Sequence, residues 1–557
     1  MDSAARIGAA LQKALTGLGI EGVTPVLEHP GELTNGDYAT SVALAAAKAA
    51  KKNPKVLAEE LLAALGTIDG IEKVEVAGPG FINFYLSRKY FTTSVADIVA
   101  VGSEWGKNGS QKGRRVMVEY ANPNTFKEMH IGHMMSTIIG EAVSRLVEFS
   151  GADVFRETYQ GDIGPQVAKA LWGLRKKGIT EPHDISEIGD AYALGSKAYE
   201  ENEQSKQEIN DINKALYTKE GPLYEEFKEL WAKGHVTSMQ GFAAVYAKLG
   251  TEFKRNFLET EVYEEGIKLV RQGLEKGVFE ESDGAIVYKG EKVGLHTRVF
   301  LTKAGTPTYE CKELELAFFK QKTWAHDRAI ILTANEQAEY FRVVLSALKE
   351  FAPEVAEKIV HIPHGFLKLT TGKMSSRDGN IVTATKLIAD VTEQVQVKNE
   401  DAAVAQDVAV GAIKYSILRQ GISADVTFDM KSSLSTEGDS GPYLQYAHTR
   451  ALSVLAKAKG EKIAPSSSMA PDKITDLERL LYRFPEVVQR ATEEYEPHYV
   501  TTYLTELAGV FNSWYAKEKI VDPTDPHSPY KVALTQAFAT TMKNGLWVLG
   551  IKAPDRM

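Results

Sequence analysis

Glu119-Tyr-Ala-Asn-Pro-Asn-Thr-Phe-Lys-Glu-Met-His-Ile-Gly-His133 joins two segments with different hydrophobic patterns. Residues 114–118, directly before it, end in a short apolar run that predicts a buried β-strand. After it, apolar residues recur with helical spacing from Ile138 to Val147, which predicts a helix beginning near Met134. The quoted residues are therefore predicted to form the corner between a strand and a helix.

This corner has the properties of a phosphate-binding site. The first backbone N–H groups of a helix have no partner inside it, and the helix dipole favours an anion there. Gly132 allows close approach, while His130 and His133 add donors, so the corner could hold a triphosphate. The alternative is a plain helix start with two surface histidines. A zinc pair is disfavoured because no third ligand accompanies the histidines.

A second stretch, Gly372-Lys-Met-Ser-Ser-Arg-Asp-Gly-Asn380, is flanked by glycines and predicts a mobile loop. Lys373 can place a positive charge on a leaving pyrophosphate, and Ser375 and Ser376 offer hydroxyl donors. Alone, the loop would be an ordinary solvated basic segment. Its position about 240 residues after the first motif favours a shared role in nucleotide chemistry.

His-Ile-Gly-His at 130–133 and Lys-Met-Ser-Ser-Arg at 373–377 resemble the two defining motifs of class I aminoacyl-tRNA synthetases. The pattern Pro-Asn-Thr-x-Lys-x-x-His-x-Gly-His at 123–133 is similar to the arginyl-tRNA synthetase family in particular. Further matching motifs occur at residues 36–40, 78–83, 437–438, 442–447 and 556–557. The resemblance implies ATP-dependent activation of L-arginine to arginyl-adenylate and transfer to the 3′-terminal ribose of tRNA(Arg).

The composition agrees with a water-soluble protein of several domains. With 557 residues, 43% of them hydrophobic and 25% charged, the chain is long enough for about three or four domains. The single cysteine, Cys311, excludes an intrachain disulfide and a cysteine-built zinc site, and it fits a reducing compartment. Because we find neither a long apolar run nor a signal-peptide pattern, we expect a cytoplasmic protein without a membrane partner.

The hydrophobic patterns predict three domains. Residues 1–110 predict an N-terminal α+β domain, for which the resemblance implies contact with tRNA. Residues 111–395 alternate strands and helices, which predicts a doubly wound, Rossmann-like α/β catalytic domain. It contains a polar helical insertion at about 175–285, after which the sheet resumes near residues 299–301. Residues 396–557 predict an all-α bundle, which the resemblance identifies as the anticodon-binding domain.

The resemblance implies an arginine pocket formed by Glu119, Asn124, His133, Tyr309, Glu313 and Gln337. A guanidinium has five donors and keeps its proton, so a specific pocket needs carboxylates in forked geometry and neutral acceptors. Taken alone, Glu313 is typical of an exposed helix charge, and Tyr309 is typical of a core aromatic. Glu119 on a buried strand would be costly unless it is paired.

Three positions depart from the family pattern. Glu313 replaces the aspartate of many relatives, and its carboxylate is one methylene longer. Ser41 stands where asparagine is expected, and Gly161 stands before Asp162 where asparagine is usual. Each departure changes the side chain available for contact with the substrates.

We expect ATP to bind as its Mg²⁺ complex to His130, Gly132, His133, Lys373, Ser375 and Ser376, with no metal site of the protein's own. Catalysis should rest on positioning and on charge stabilisation by His130, His133, Lys127 and Lys373, without a covalent enzyme intermediate. The loop lacks the second lysine of many class I enzymes, and the resemblance implies that Lys127 supplies that charge. The alternative is a plain surface lysine. In the family, tRNA often binds before the adenylate forms.

In the helical domain, Tyr443, Tyr446 and Met557 match positions that the resemblance implicates in tRNA binding, where splayed bases can stack on aromatic rings. A place in the bundle core is an equally good interpretation of both tyrosines.

Since the net charge is −9, any tRNA surface must be a local basic patch. We expect a monomer with tRNA(Arg), L-arginine and ATP as partners. The alternatives are a synthetase for another amino acid, a small-molecule nucleotidyltransferase and a non-catalytic tRNA-binding protein.

Overall fold

The computed structural model describes residues 3–370, 382–397 and 399–557. Lys373, Ser375 and Ser376, for which the sequence predicts contacts with ATP, lie outside the described residues. The chain divides into two units. The first comprises Met1–Gly106, Ala447–Glu486 and Tyr503–Asn544, and the second comprises Lys107–Tyr446, Val487–Thr502 and Gly545–Met557.

The N-terminal part of the first unit is an α+β fold, which confirms the sequence prediction. Its elements are α1 (Ser3–Gly17), β1 (Tyr38–Thr40), α2 (Val42–Ala50), α3 (Pro54–Leu65), β2 (Ile71–Ala77), β3 (Phe81–Leu86) and α4 (Arg88–Val101). The strands form an antiparallel sheet in the order β1-β3-β2. The Asn53 side chain caps α3, and Pro54 occupies its first position, where a missing N–H costs nothing.

The core of the first unit also contains a residue from much later in the chain. Tyr482 is buried in the same cluster as Tyr38 and Phe91, with its ring centroid 5.9 Å from each of theirs. Buried Asp37 accepts hydrogen bonds from the Leu86 N–H, at 2.8 Å, and from Arg479. Residues of the predicted first and last domains therefore share one core.

The second unit contains a mixed succession of strands and helices. In chain order these are β4 (Arg115–Glu119), α5 (Ile131–Phe149), β5 (Asp153–Gln160), α6 (Pro165–Lys177), α7 (Ile185–Glu201), α8 (Glu203–Thr218), α9 (Pro222–Leu249), β6 (Arg255–Leu258), α10 (Glu259–Glu275), β7 (Glu280–Ser282), β8 (Ala285–Tyr288), β9 (Arg298–Leu301), α11 (Tyr309–Thr323), β10 (Arg328–Ala334), α12 (Ala338–Phe351), α13 (Pro353–Ala356), β11 (Ile359–His364), β12 (Leu367–Leu369), α14 (Ala384–Gln396), α15 (Ala402–Leu418), β13 (Val426–Phe428) and α16 (Met430–Ser433).

A five-stranded parallel sheet, in the order β11-β10-β4-β5-β6, lies at the centre of this unit. Three consecutive residues of β4, Val116 to Val118, are buried, so both faces of the sheet are covered. The strand order reverses between β4 and β10, as predicted for a doubly wound fold. The carboxyl ends of β4, β5 and β10 therefore border the crevice where such sheets bind ligands.

Two details differ from the sequence prediction. Residues 299–301 do not resume the central sheet, because they belong to β9 of a separate antiparallel sheet, β7-β8-β9. The insertion predicted at about 175–285 is helical as far as Leu249, but β6 at 255–258 is an edge strand of the central sheet. A run of four residues is too short for its periodicity to indicate a strand.

Five helices follow, as predicted for the C-terminal part of the chain: α17 (Gly441–Gly460), α18 (Asp476–Leu481), α19 (Phe484–Glu494), α20 (His498–Lys517) and α21 (Ser528–Val548). The apolar pattern from Leu477 to Thr492 predicts one continuous helix, but the structure has two, α18 and α19. Pro485 lies in the first turn of α19, and proline lacks the N–H that would continue α18. Among the described helices, none has both the length and the apolar character that crossing a membrane requires.

Candidate active site

The corner between β4 and α5 has a backbone conformation that residues other than glycine rarely adopt. Ala121, Asn122 and Phe126 have φ values of 74°, 45° and 63°, in the left-handed region. Asn122 is fixed by three contacts: its N–H donates to Thr158 Oγ1 (3.1 Å), its Oδ1 accepts from the Tyr159 N–H (2.9 Å), and its Nδ2 donates to Glu119 Oε1 (2.6 Å). The neighbouring strand β5 therefore holds the corner in a strained conformation, as is common at functional sites.

His130 and His133 cap the start of α5. His130 Nδ1 accepts hydrogen bonds from the N–H groups of Gly132 (3.1 Å) and His133 (3.3 Å), and His133 Nδ1 accepts from the His130 N–H (3.4 Å). The Ile131 N–H donates to the Val382 carbonyl at 3.2 Å. The expectation of unpartnered backbone donors in this turn is thus incorrect, because the histidines and residue 382 satisfy them.

The two rings instead offer side-chain donors. Since each Nδ1 accepts a hydrogen bond, a neutral ring carries its proton on Nε2. Burial lowers the pKa of His130, and Lys127 lowers it further; burial, His130 and Lys127 hold the pKa of His133 well below its usual value. The rings are stacked, with centroids 3.7 Å apart. Both histidines are therefore neutral Nε2–H donors at pH 7.

A cavity of about 440 Å³ borders these rings. Its lining includes His130, Gly132, His133, Asn124, Ser136, His364 and Phe366. Segment 371–381 lies outside the described residues, but residues on both sides of it lie at or beside this cavity. Phe366 and Leu367 line the cavity, and the Ala384 N–H donates to the Met129 carbonyl at 2.8 Å.

A second cavity, of about 330 Å³, adjoins the first. The two share Asn122, Asn124, Thr333 and Gln337 in their linings. Five of the six residues predicted to bind arginine line the second cavity: Glu119, Asn124, Tyr309, Glu313 and Gln337. The sixth, His133, lines the first cavity. Sequence reasoning missed Asn122, Tyr159, Glu259, Thr333 and Tyr340, which also line the second.

Acidic side chains dominate the base of the second cavity. Lys320, from α11, donates to Glu119 and lies 2.8 Å from Glu157, and all three are buried. Burial raises the pKa of Glu313 well above its usual value, and Glu119 raises it further. Burial also raises the pKa of Glu157, to about 8, although Lys320 opposes this shift. The cluster has three carboxylates for one lysine, so it can accept another cation.

Glu259 in the same cavity is already paired. Its carboxylate accepts a hydrogen bond of 2.6 Å from Lys312, which also lies 3.2 Å from the Tyr217 hydroxyl. Lys312 directly precedes Glu313 in the first turns of α11. Glu259 therefore contributes less unmatched charge to the cavity than Glu119 and Glu313 do.

The departures at Gly161 and Ser41 have different structural settings. A Cβ at Gly161 would lie 2.3 Å from Asn124 Oδ1, so glycine is what allows Asn124 to occupy its place between the cavities. Ser41 precedes α2 in the first unit, and its side chain makes no capping hydrogen bond. The longer Glu313 side chain lines the second cavity together with Glu119.

The remaining predicted residues lie elsewhere. In the described part of the chain, neither cavity lining includes Lys127, whose Nζ lies 4.4 Å from the Tyr192 ring centroid. Tyr446 and Met557 are each 40% exposed, and Tyr443 is half-buried. Within the described residues, no group of three or more His, Cys, Asp or Glu side chains could hold a metal ion.

Known proteins match the chain from end to end. Family models match at residues 3–86 (arginyl tRNA synthetase N terminal domain), 94–430 (tRNA synthetases class I (R), catalytic domain) and 444–557 (DALR anticodon binding domain). The chain is 31% identical to the arginine–tRNA ligase of Levilactobacillus brevis, over 100% of both chains. It is 31% identical to that of Treponema denticola, over 93% of this chain and 92% of the relative. The structure of Thermus thermophilus arginyl-tRNA synthetase superposes with a TM-score of 0.82 at 26% identity, covering 100% of both chains.

Proposed function

Because the chain belongs to the class I arginyl-tRNA synthetase family, we propose that its two adjoining cavities bind the two small substrates of an arginine–tRNA ligase. Such an enzyme uses ATP to activate L-arginine and attaches the arginyl group to tRNA(Arg). The acidic cavity takes arginine, and the cavity beside His130 and His133 takes ATP. The observation that carries this assignment is the buried acidic cluster, directly beside a cavity lined by the two motif histidines.

We assign arginine recognition to Glu119, Asn124, His133, Tyr309, Glu313 and Gln337. The guanidinium pairs with the Glu313 carboxylate, since within the described residues Lys320 pairs with Glu119 and Glu157 instead. Glu119 sets the charge and shape of the floor of the cavity, since Asn122 and Lys320 already hydrogen-bond the two oxygens of the Glu119 carboxylate. Tyr309 and Gln337 are exposed at the rim, where they can contact the less buried end of the amino acid.

We assign ATP, as its Mg²⁺ complex, to His130, Gly132 and His133, together with Lys373, Ser375 and Ser376, which lie outside the described residues. The support is the pair of neutral Nε2–H groups, which donate to phosphate oxygens without the cost of burying a charge. The metal ion enters with the nucleotide and is part of the substrate.

The enzyme then promotes the reaction by positioning the two substrates. A carboxylate oxygen of arginine attacks the α-phosphorus of ATP, and pyrophosphate leaves, so no covalent bond to the enzyme forms. Four residues line both cavities, which supports a role for them where the carboxylate and the α-phosphate would meet: Asn122, Asn124, Thr333 and Gln337. His130, His133, Lys127 and Lys373 stabilise the charge on the phosphates. In the second step a hydroxyl of the terminal ribose attacks the arginyl carbonyl, and AMP leaves.

We further propose that residues 1–110 contact tRNA, that 111–395 carry the chemistry, and that 396–557 bind the anticodon. Support comes from the N-terminal, catalytic and anticodon-binding family models, which match in that order. Tyr443, Tyr446 and Met557 are the residues proposed to contact tRNA. The monomeric state and the cytoplasmic location are proposed with them.

The test is ATP–pyrophosphate exchange with each amino acid in turn, with and without tRNA, followed by aminoacylation of unfractionated tRNA. We expect exchange with L-arginine and with no other amino acid, and we expect this exchange to be faster when tRNA is present. L-Citrulline, which has nearly the shape of arginine but no charge, should be inactive. Activity with citrulline, or a preference for another amino acid, would overturn the assignment of the acidic cavity.

A further inference from the structure

The Lys127 side chain is held by the helical insertion. Its Nζ lies 4.4 Å from the centroid of the Tyr192 ring, on the first insertion helix, α7. Both side chains are half-buried. The negative face of an aromatic ring attracts a cation above it, and the attraction strengthens as water is excluded. A helix without any catalytic motif therefore contacts the lysine to which we assign a role in activation.

Lys127 is also close to the phosphate-binding rings. Its charge contributes to the lowered pKa of both His130 and His133. These rings line the cavity assigned to ATP. Tyr192, which does not line that cavity, therefore holds a lysine that lies three residues before His130 and whose charge acts on both rings.

Tyr192 lies on a rigid support. A Cβ at Gly173 in α6 would come within 2.0 Å of the Ala191 carbonyl oxygen, and a Cβ at Gly195 within 2.0 Å of the Lys169 carbonyl oxygen. The backbones of α6 and α7 are therefore in direct contact on both sides of Tyr192. Because closely packed backbones can move little relative to each other, the Tyr192 ring has little freedom to shift.

The insertion also fixes the residues next to Lys127. The Phe126 N–H donates to Ser238 Oγ on α9 at 3.0 Å. A Cβ at Gly234 on the same helix would lie 2.3 Å from the Phe126 ring, and one at Gly189 on α7 would lie 3.2 Å from the Glu128 carboxylate. The insertion thus shapes both the backbone and the side chain of the corner at Lys127.

We propose that Tyr192 is a positioning residue for arginine activation, which holds the Lys127 ammonium group beside the departing pyrophosphate. The helical insertion then contributes directly to the activation step. This inference rests on the proposed role of Lys127.

The experiment compares Tyr192→Phe, Tyr192→Leu, Lys127→Ala and the double variant Lys127→Ala/Tyr192→Leu by ATP–pyrophosphate exchange with tRNA present. Tyr192→Phe keeps the aromatic face but removes the hydroxyl that also interacts with Lys127, so its rate should lie between those of the parent and of Tyr192→Leu. Tyr192→Leu should lower kcat about tenfold with the KM for arginine unchanged, and it should add nothing in the Lys127→Ala background. Tyr199→Leu is the matched control, because it removes a similar contact on the same helix, with Lys169 Nζ at 4.6 Å.

The outcomes separate the two proposals. A large loss in Lys127→Ala with a parental rate in Tyr192→Leu would overturn the inference and leave the role of Lys127 intact. A parental rate in Lys127→Ala would overturn both. Equal losses in Tyr192→Leu and Tyr199→Leu, or losses that add in the double variant, would show a merely structural role for Tyr192 and overturn the inference.

Discussion

The ammonium nitrogen of Lys320 lies 2.8 Å from a carboxylate oxygen of Glu157, one residue in a cluster that also includes Glu119 and Glu313. Glu119 and Glu157 are direct partners in the register of β4 and β5, so the sheet itself brings these carboxylates together. Like charges at this range cannot all ionise in a buried site without cations. Lys320 supplies one cation, and under the proposed function the guanidinium of arginine supplies a second.

Replacement of Lys320 by methionine should weaken arginine binding. The change leaves Glu119 and Glu157 buried without their cation, and removal of one partner of a buried ion pair typically costs about 3–5 kcal/mol. We expect the KM for arginine to rise at least about tenfold and the KM for ATP to change little, because Lys320 pairs with the acidic cluster and does not line the cavity assigned to ATP. Exchange kinetics and thermal unfolding would measure both effects.

The double variant Glu157→Gln/Lys320→Met provides the control. It removes one carboxylate together with the lysine, so it should unfold at a higher temperature than Lys320→Met alone. If a folded Lys320→Met enzyme binds arginine as the parent does, the lysine has no part in forming the pocket.

Arginine binding should release a proton. Burial raises the pKa of Glu313 well above its usual value, and Glu119 raises it further, which favours the protonated carboxyl before arginine binds. A bound guanidinium favours the ionised form, and the proton must leave. The KM for arginine should therefore fall as pH rises through the range below the raised pKa of this carboxyl, by up to about tenfold per unit. Initial rates across this range would measure it.

Glu313→Gln identifies the group responsible. Glutamine accepts a hydrogen bond but cannot ionise, so this variant should bind arginine weakly and with a flatter pH profile. The KM for ATP serves as the internal control, since Glu313 does not line the cavity assigned to ATP. An unchanged pH profile in Glu313→Gln would rule out Glu313 as the source of the proton.

Gly161→Ala should disturb both substrates at once. The added Cβ would lie 2.3 Å from Asn124 Oδ1 and 3.1 Å from Gln166 Nε2, so Asn124 must move. Because Asn124 lines both cavities, we expect the KM values for arginine and for ATP to rise together, by about three- to tenfold.

Gly8→Ala in α1 is a suitable comparison, since among the described residues nothing lies within 4 Å of a Cβ at Gly8. It should leave both KM values at the parental level. Parental constants in Gly161→Ala as well would mean that the position of Asn124 is unimportant for binding.

The sequence predicts those pocket residues that belong to a recognisable motif. Glu119, Tyr309 and Glu313 follow from motif positions, and all three line the acidic cavity. Glu157 and Lys320 were not predicted, because their role depends on the pairing of β5 with β4 and on the packing of α11. Strand register of this kind cannot be read from periodicity. One signal was available in the chain: β5 followed by α6 repeats the succession of β4 and α5, with Glu157 at the strand position equivalent to Glu119.

The phosphate-binding role of the corner stays a prediction, and the structure changes which donors could serve it. Helix geometry predicts free backbone donors at the start of α5, yet the His130 ring accepts from two of them. Whether a side chain caps its own helix depends on one rotamer, which sequence does not specify. The donors that this corner offers to a phosphate are therefore imidazole groups.

His130→Asn should separate helix capping from catalysis. Asparagine is among the best N-cap residues, so it can still accept from the N–H groups of Gly132 and His133, but it has no equivalent of the Nε2–H donor. We expect unfolding at the parental temperature together with an exchange rate at least about 100-fold lower. His130→Ala should lose the same activity and about 1 kcal/mol of stability besides, because the cap is gone. Thermal unfolding and ATP–pyrophosphate exchange on both variants give the comparison. A near-parental exchange rate in His130→Asn would mean that the ring acts only as a cap, and then the phosphates must be held by other donors.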